Sequence, residues 1–398
     1  MPDVSAEPAI VRPLGGFERI CHLWTQRNPL HFCVVAELDG PVSPGECRSA
    51  LDQLQRSHPL LSVTVADIGA SGPTFVSSSA PLPLRTVEEP TRWEDVVADE
   101  LTRRFDPGVA PLARAVLIPE RASSVLVMSF EHSIADGVAA VNALADMISV
   151  LNGTPLARHA VPAAQEDLIA GLDDAPGSES APTPTAPAAP VDERMTAVGS
   201  RRPFDGESPS VAGAALDVRT TESLRARCRA ERTTVHAAIC AAVTQVALTE
   251  PGYDFVRIFS PLSLRHLIPS TDVVAARTGL ARTGFPAAAA ADLWDLARAT
   301  WAALTPARSP EAVAAVAGAG ETTVPPDAPA EVAEAFMLGG AGFEVEVTNV
   351  GVVEMGDVTT GPLHATAVWG PAILNQITGE IVLGVITSGG QLRMTAPT

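Results

Sequence analysis

The sequence predicts an α/β protein: mixed sheets with helices packed on them, in two halves joined by a proline-rich spacer. Three observations predict it. Short β-branched, apolar runs alternate with segments whose apolar residues recur at helical spacing. Both textures occur on each side of residues 171–190. That stretch, GLDDAPGSESAPTPTAPAAP, has prolines at 176, 182, 184, 187 and 190, which remove backbone donors and block helix and central strand alike. The expected organisation is residues 1–170, a linker over 171–195, and residues 196–398. No repeat of solenoid period occurs.

In the first half, His31 to Leu38 (HFCVVAEL) reads as a strand stopped by Asp39-Gly40. A helix follows. Ser43 caps it, Pro44 suits its first position, and Glu46 completes a capping box. Cys47, Ala50, Leu51 and Leu54 give that helix one apolar face. His58-Pro59 ends it, and Leu60 to Val65 reads as a strand. Ser123 to Phe130 is another strand. After residues 131–137 comes a helix with Val141, Leu144, Ala145, Ile148 and Leu151 at helical spacing, closed by Asn152-Gly153.

In the second half, Thr234 to Leu248 and Asp292 to Leu304 are amphipathic helices, and Val256 to Leu264 is a strand running into Arg265. Phe343 to Val347 (FEVEV) alternates strictly, as a half-exposed strand does. Ile381 to Thr387 is a late strand after the Thr378-Gly379 turn.

Composition excludes several functions. Hydrophobic residues make up 46% of the 398, enough for a large core. The 27 basic residues are all arginine, so no Walker-type, Schiff-base or nucleophilic lysine exists. A net charge of −19 opposes binding to a phosphate backbone, and no nucleic-acid partner is expected. The five cysteines are scattered with no C-x-x-C, against a disulfide framework or zinc site and in keeping with a cytoplasmic location. Neither a signal peptide nor a membrane span is expected.

Of eight histidines, seven (His22, His31, His58, His159, His236, His266 and His364) lack ligand spacing and read as packing or surface residues. H-E-x-x-H, G-x-S-x-G and a strand-linked G-x-G-x-x-G are all missing. His132 differs in its setting, between an apolar strand and a helix, with Asp136 and Gly137 following. Strand-to-helix junctions present side chains to clefts, and a neutral imidazole accepts a proton near neutral pH. His132 is therefore a general-base candidate, against a plain core histidine. Asn349, before Val350-Gly351, reads as a turn residue or a cleft residue. Arg225, Arg227, Arg229 and Arg232 read as a solvated helix face, against a landing site for an acidic partner.

Glu131-His132-Ser133-Ile134-Ala135-Asp136-Gly137 resembles the HHxxxDG motif of the coenzyme-A-dependent acyltransferase superfamily. That superfamily includes condensation domains, chloramphenicol acetyltransferase and polyketide-associated acyltransferases. Four companions follow in the family's order. They are Leu51-x-x-Leu54 with Arg56-Ser57-His58-Pro59-Leu60, Thr234-Val235-His236-Ala237-Ala238, Ser260-Pro261-Leu262-Ser263-Leu264-Arg265, and Thr348-Asn349-Val350-Gly351.

The resemblance implies two chloramphenicol-acetyltransferase-like subdomains in a V around a central tunnel. It implies an acyltransferase of polyketide or other specialised (antibiotic) metabolism, hydroxyl acceptors favoured over amines. The co-substrate would be acyl-CoA or a phosphopantetheinyl carrier protein, with a small-molecule acceptor. No permanently bound cofactor or metal is implied, and a monomer suffices. His132 would be the base. Asp136 would pair with Arg265 as structure, against the alternative of an Asp136–His132 dyad. Gly137 and Glu131 would be structural at the site, and Thr348, Asn349 and Ser133 would bind substrate. Glu131 stands where the family has its first histidine. That departure raises the alternative of an altered or inactive condensation-like protein that binds a partner or uses the tunnel for another reaction.

Overall fold

The computed structural model describes residues 9–87, 90–172, 192–249, 252–269, 273–340, 342–355 and 361–398. Most of the expected linker lies outside them. Three sheets organise the chain. The first has five strands in the order β12-β2-β7-β6-β5: Ala365–Ile373, His31–Leu38, Ser124–Glu131, Ala113–Pro119 and Leu84–Thr86. All of β7 and nearly all of β2 are buried, so both faces are covered. Hence these strands are continuous apolar runs rather than alternations.

The second sheet has six strands in the order β10-β9-β11-β13-β14-β8. They span Thr278–Pro286, Phe255–Ser263, Val345–Val353, Ile381–Ser388, Gln391–Pro397 and Val211–Leu216. Strand β11 runs parallel to both β9 and β13. A small antiparallel sheet, β1-β4-β3, joins Ile10–Pro13, Pro73–Ser77 and Val63–Asp67.

The helices are α1 (Gly16–Thr25), α2 (Pro44–Ser57), α3 (Trp93–Thr102), α4 (Gly137–Leu151), α5 (Gln165–Ala170), α6 (Val218–Ala230), α7 (Val235–Ala247), α8 (Leu293–Leu304), α9 (Pro310–Thr323) and α10 (Ala330–Gly340). The expected capping box of α2 is present: Ser43 Oγ accepts from Glu46 N–H at 3.2 Å, and Glu46 Oε2 accepts from Ser43 N–H at 2.9 Å. Side chains of Thr234 and Asp292 cap α7 and α8. Helices α2 and α4 bury Leu51, Leu54 and Leu144 in one core with Phe32 and Phe130 of the first sheet. Helix α7 buries Ile239 in another with Val256, Ile258, Val345, Val347 and Val385.

Two expectations change. Pro59–Ser62 forms a 3-10 turn, so the strand expected at Leu60 begins at Val63. Strand β12 comes from the second half yet pairs antiparallel with β2, Val368 opposite Ala36 and Trp369 opposite Val35. The sequence halves 1–170 and 196–398 therefore do not each own a sheet.

Candidate active site

Strand β7 ends at Glu131, and its bonding runs one residue further, His132 N–H donating to Leu30 O at 3.1 Å. Residues 132–136 make a tight connection into α4. Asp136 is that helix's N-cap, its carboxylate accepting from Ala139 N–H at 2.9 Å. Two anchored element ends thus fix the ring of His132. It lies between Phe17 of α1 (centroids 5.6 Å apart, edge-on) and Phe32 of β2 (5.1 Å). No hydrogen bond of good geometry reaches its buried Nδ1. Burial pulls its pKa below the ordinary 6.5; the backbone of His132 and Ala135 and the Asp136 charge oppose this more weakly. The ring is neutral at pH 7, as a base must be.

His132 opens on a cavity of about 110 Å³. Its walls come from α1, the 132–138 segment, β9, β10, β11, β12 and α10, so both halves of the sequence contribute. The lining is mostly apolar, with Phe17, Phe32, Phe259, Leu280, Phe336 and Ile373 among it. A second space of about 60 Å³ shares Phe17, Ile20, Leu280 and Phe336 with the first and continues along Ile169, Leu264, Val313 and Val316.

Asp136 binds elsewhere than His132. Its two oxygens accept from Arg265 Nη1 and Nη2 at 2.8 and 2.9 Å, a bidentate pair joining α4 to the end of β9. Oδ2 also accepts from Arg277 N–H at 2.7 Å and Thr278 Oγ1–H at 3.1 Å. Burial opposes ionisation, but Arg265 and the N–H donors outweigh it and hold the carboxyl below its usual range. Asp136 is thus a saturated structural anion, and a dyad with His132 does not form.

Glu131 is fully buried and turned from the cavity. Its Oε1 accepts from Thr25 Oγ1–H at 2.8 Å, and its Oε2 accepts from Ser133 N–H at 2.8 Å and from the Ser133 hydroxyl. Burial pushes its pKa up. The carboxyl ties α1 to the loop carrying His132. Ser133, expected to bind substrate, is outside the cavity lining because Glu131 takes its hydroxyl and N–H. Gly137 lines the cavity for want of room: a Cβ there would stand 2.6 Å from Pro371 Cγ. Thr348 and Asn349 line it too. Asn349 has both of its expected characters, since its Oδ1 also accepts from Gly351 N–H at 2.9 Å.

His31, His58 and His236 serve as ties. His31 bonds Glu100 O at 2.8 Å, and His58 accepts from Val274 N–H through Nδ1 while bonding Asp146 through Nε2. His236 meets Ser260 Oγ at 3.0 Å. On α6, Arg225 and Arg229 pair with Glu222, and Arg227 with Glu231, which fits the solvated-face reading. The described residues hold no cluster of metal-ligand type, and no helix among them is long and apolar enough to cross a membrane.

Sequence reasoning missed Phe17 and Phe32 as the clamp on His132, and the Arg277–Thr278 donors to Asp136. It also missed Glu346. FEVEV alternation assigns both glutamates to solvent, but only Glu344 goes to an ion pair with Arg257, while Glu346 is 3% exposed and lines the cavity. The one signal was an acidic residue two positions before Thr348 on the same strand face.

No protein-family model and no curated protein matches the chain. Solved structures do. Polyketide synthase associated protein 5 from Mycobacterium tuberculosis aligns over 98% of this chain and 94% of its own, with TM-score 0.67 and 18% identity. TRI3 trichothecene 15-O-acetyltransferase from Fusarium sporotrichioides aligns over 97% and 90%, with TM-score 0.69 and 11% identity. The first condensation domain of the CDA synthetase aligns over 97% and 90%, with TM-score 0.68 and 14% identity. The chain therefore has the fold shared by condensation domains and acyltransferases of this type, the chloramphenicol-acetyltransferase-like fold the motif implied.

Proposed function

We propose that this protein is an acyltransferase that moves an acyl group from a CoA or carrier-protein thioester to a hydroxyl (or amine) acceptor, with His132 as general base. The observation that carries the proposal is a neutral imidazole clamped between two phenyl rings at the wall of an apolar cavity. In this reading the acceptor O–H gives its proton to His132 as oxygen bonds the thioester carbonyl carbon. The tetrahedral intermediate then breaks its C–S bond, and the departing thiolate takes the proton back. Asn349 keeps its carbonyl oxygen on Gly351 N–H, which leaves Nδ2 to donate to the developing oxyanion. The second, apolar space takes the acyl chain. The role is in polyketide-type or other specialised metabolism.

The altered or inactive reading began with Glu131. Its carboxyl is spent on Thr25 and Ser133, and Glu131 is not part of the cavity lining. The test is thiol release from acyl-CoA and acyl-carrier thioesters with pooled alcohols and amines. Wild type is expected to release thiol in an acceptor-dependent way, and His132→Ala about 10²–10⁴-fold more slowly. The wild-type rate should begin to fall only below pH 6.5, because burial lowers the His132 pKa. Silence from both folded proteins would transfer the assignment to a partner-binding role.

A further inference from the structure

The cavity wall holds a second buried ionisable group besides His132. Glu346, Thr348 and Val350 follow one another at alternate positions of β11, and all three line the cavity. The intervening Val345 and Val347 are buried in the core on the other face of the sheet. Glu346 Oε2 accepts from Asn375 Nδ2 at 2.6 Å. The same Nδ2 donates to Glu380 Oε2 at 3.1 Å. Glu380 is satisfied: it accepts from the N–H groups of Asn375, Gln376 and Ile377, and Arg202 lies 3.6 Å away. Among the described residues Glu346 forms no ion pair, and Asn375 is the side chain that donates to it.

A buried carboxyl without a cation is costly as an anion, so it either keeps its proton or receives a cation from outside. Burial is the main cause that pushes Glu346 up to about 8, with the Glu380 charge adding to it and the Asn375 bond opposing. The neighbouring carboxyl of Asp136 shows what the same fold does when it wants a permanent anion: it supplies an arginine and three further donors of its own. Among the described residues nothing of that kind surrounds Glu346, which lines the cavity.

We propose that Glu346 is the acceptor-recognition residue of this cavity, and that it pairs with an ammonium group carried by the acceptor apart from the nucleophile delivered to His132. This rests on the acyltransferase reading for the word acceptor; the ammonium site itself does not. The acceptor class is then an amino alcohol or diamine with an apolar body, one end meeting Glu346 and the other His132. Glu346 gives up its proton as the ammonium arrives, so binding releases about one proton. The second space, which Glu346 does not line, is left to the acyl chain.

Calorimetry with n-hexylammonium and 1-hexanol as probes tests the site without turnover. Wild type is expected to bind the ammonium on the order of tenfold more tightly than the alcohol. The heat should change between buffers of different ionisation enthalpy, which reports the released proton and needs no variant. Glu346→Gln keeps the Asn375 bond and should abolish both the preference and the proton release. Equal binding of the two probes, or a preference that survives in Glu346→Gln, overturns the proposal. In the thiol-release assay, 6-amino-1-hexanol should exceed 1-hexanol about tenfold in kcat/KM. Ammonium binding without any turnover would sink the acyltransferase reading and leave the Glu346 site standing. Turnover with no ammonium preference would do the reverse.

Discussion

Asp136 and Glu346 are two buried carboxyls in the wall of one cavity, and their surroundings are opposite. Asp136 meets a bidentate arginine, two backbone N–H groups and a hydroxyl, and its pKa is held down. Glu346 meets one amide and a neighbouring acid, and its pKa is raised to about 8. The first region is closed and holds the two sequence halves together. The second is chemically incomplete. Exposure does not tell them apart, since both are buried; the count and charge of donors does.

Removing the closed region should produce the largest effect. Asp136→Ala strands Arg265 and takes the cap from α4, and a loss of about 3–5 kcal/mol is expected in denaturant unfolding. Arg265→Ala should cost a similar amount. The double variant should cost less than the sum, because the partners act as a unit. If the two losses add, the ion pair is not what joins the regions.

Gly137 follows Asp136 and lies against Pro371 of β12 and Val350 of β11. Gly137→Val forces a side chain into a 2.6 Å gap, and an overpacking cost of about 1–3 kcal/mol is expected, with a smaller cavity. An unchanged melting temperature would mean that β12 yields easily there.

The carboxyls should also give stability slopes of opposite sign with pH. Asp136 has a folded pKa below its unfolded value, so its contribution is present above the ordinary carboxylate range and lost as pH falls through the folded value. Glu346 has a folded pKa above its unfolded value. The native state then holds the extra proton, and stability falls as pH rises from about 4.5 to about 8. That slope approaches about 1.4 kcal/mol per pH unit, and it should vanish in Glu346→Gln, measured as denaturant midpoints from pH 5 to 8. Parallel wild-type and variant curves would remove the contrast.

Arg225→Ala on α6 should change stability by no more than about 0.5 kcal/mol, since its pair with Glu222 is exposed. A larger loss would mean that surface pairs weigh here as buried ones do.

Legibility followed the same division. The α2 capping box, the β2 and β7 runs and the α4 spacing are local patterns, and the structure repeats them almost residue for residue. The motif and its companions located His132, Asp136 and Arg265 and implied the ion pair between them. What was illegible depends on contacts distant along the chain. The Phe17 clamp comes from α1, where Phe17, Ile20, Cys21 and Trp24 recur at helical spacing, but spacing does not say that this face meets His132. Ser133 lies outside the cavity lining, its N–H bonded to the adjacent Glu131. Glu346 was misread because period-two alternation says which residues share a face, but not whether that face meets water or a cavity.

Strand β12 sets the order in which the chain can be completed. The first sheet begins to be made at residue 31, yet the partner of β2 on that side arrives only with residues 365–373. During synthesis from the N-terminus, β2 therefore waits with an unpaired, apolar edge until nearly the whole polypeptide has emerged. A fragment ending at the proline-rich spacer would keep that edge for good, a template for joining another copy of itself. The two halves of the sequence are thus not two candidates for separate expression, and a split protein would need its second piece supplied in time to shield the first.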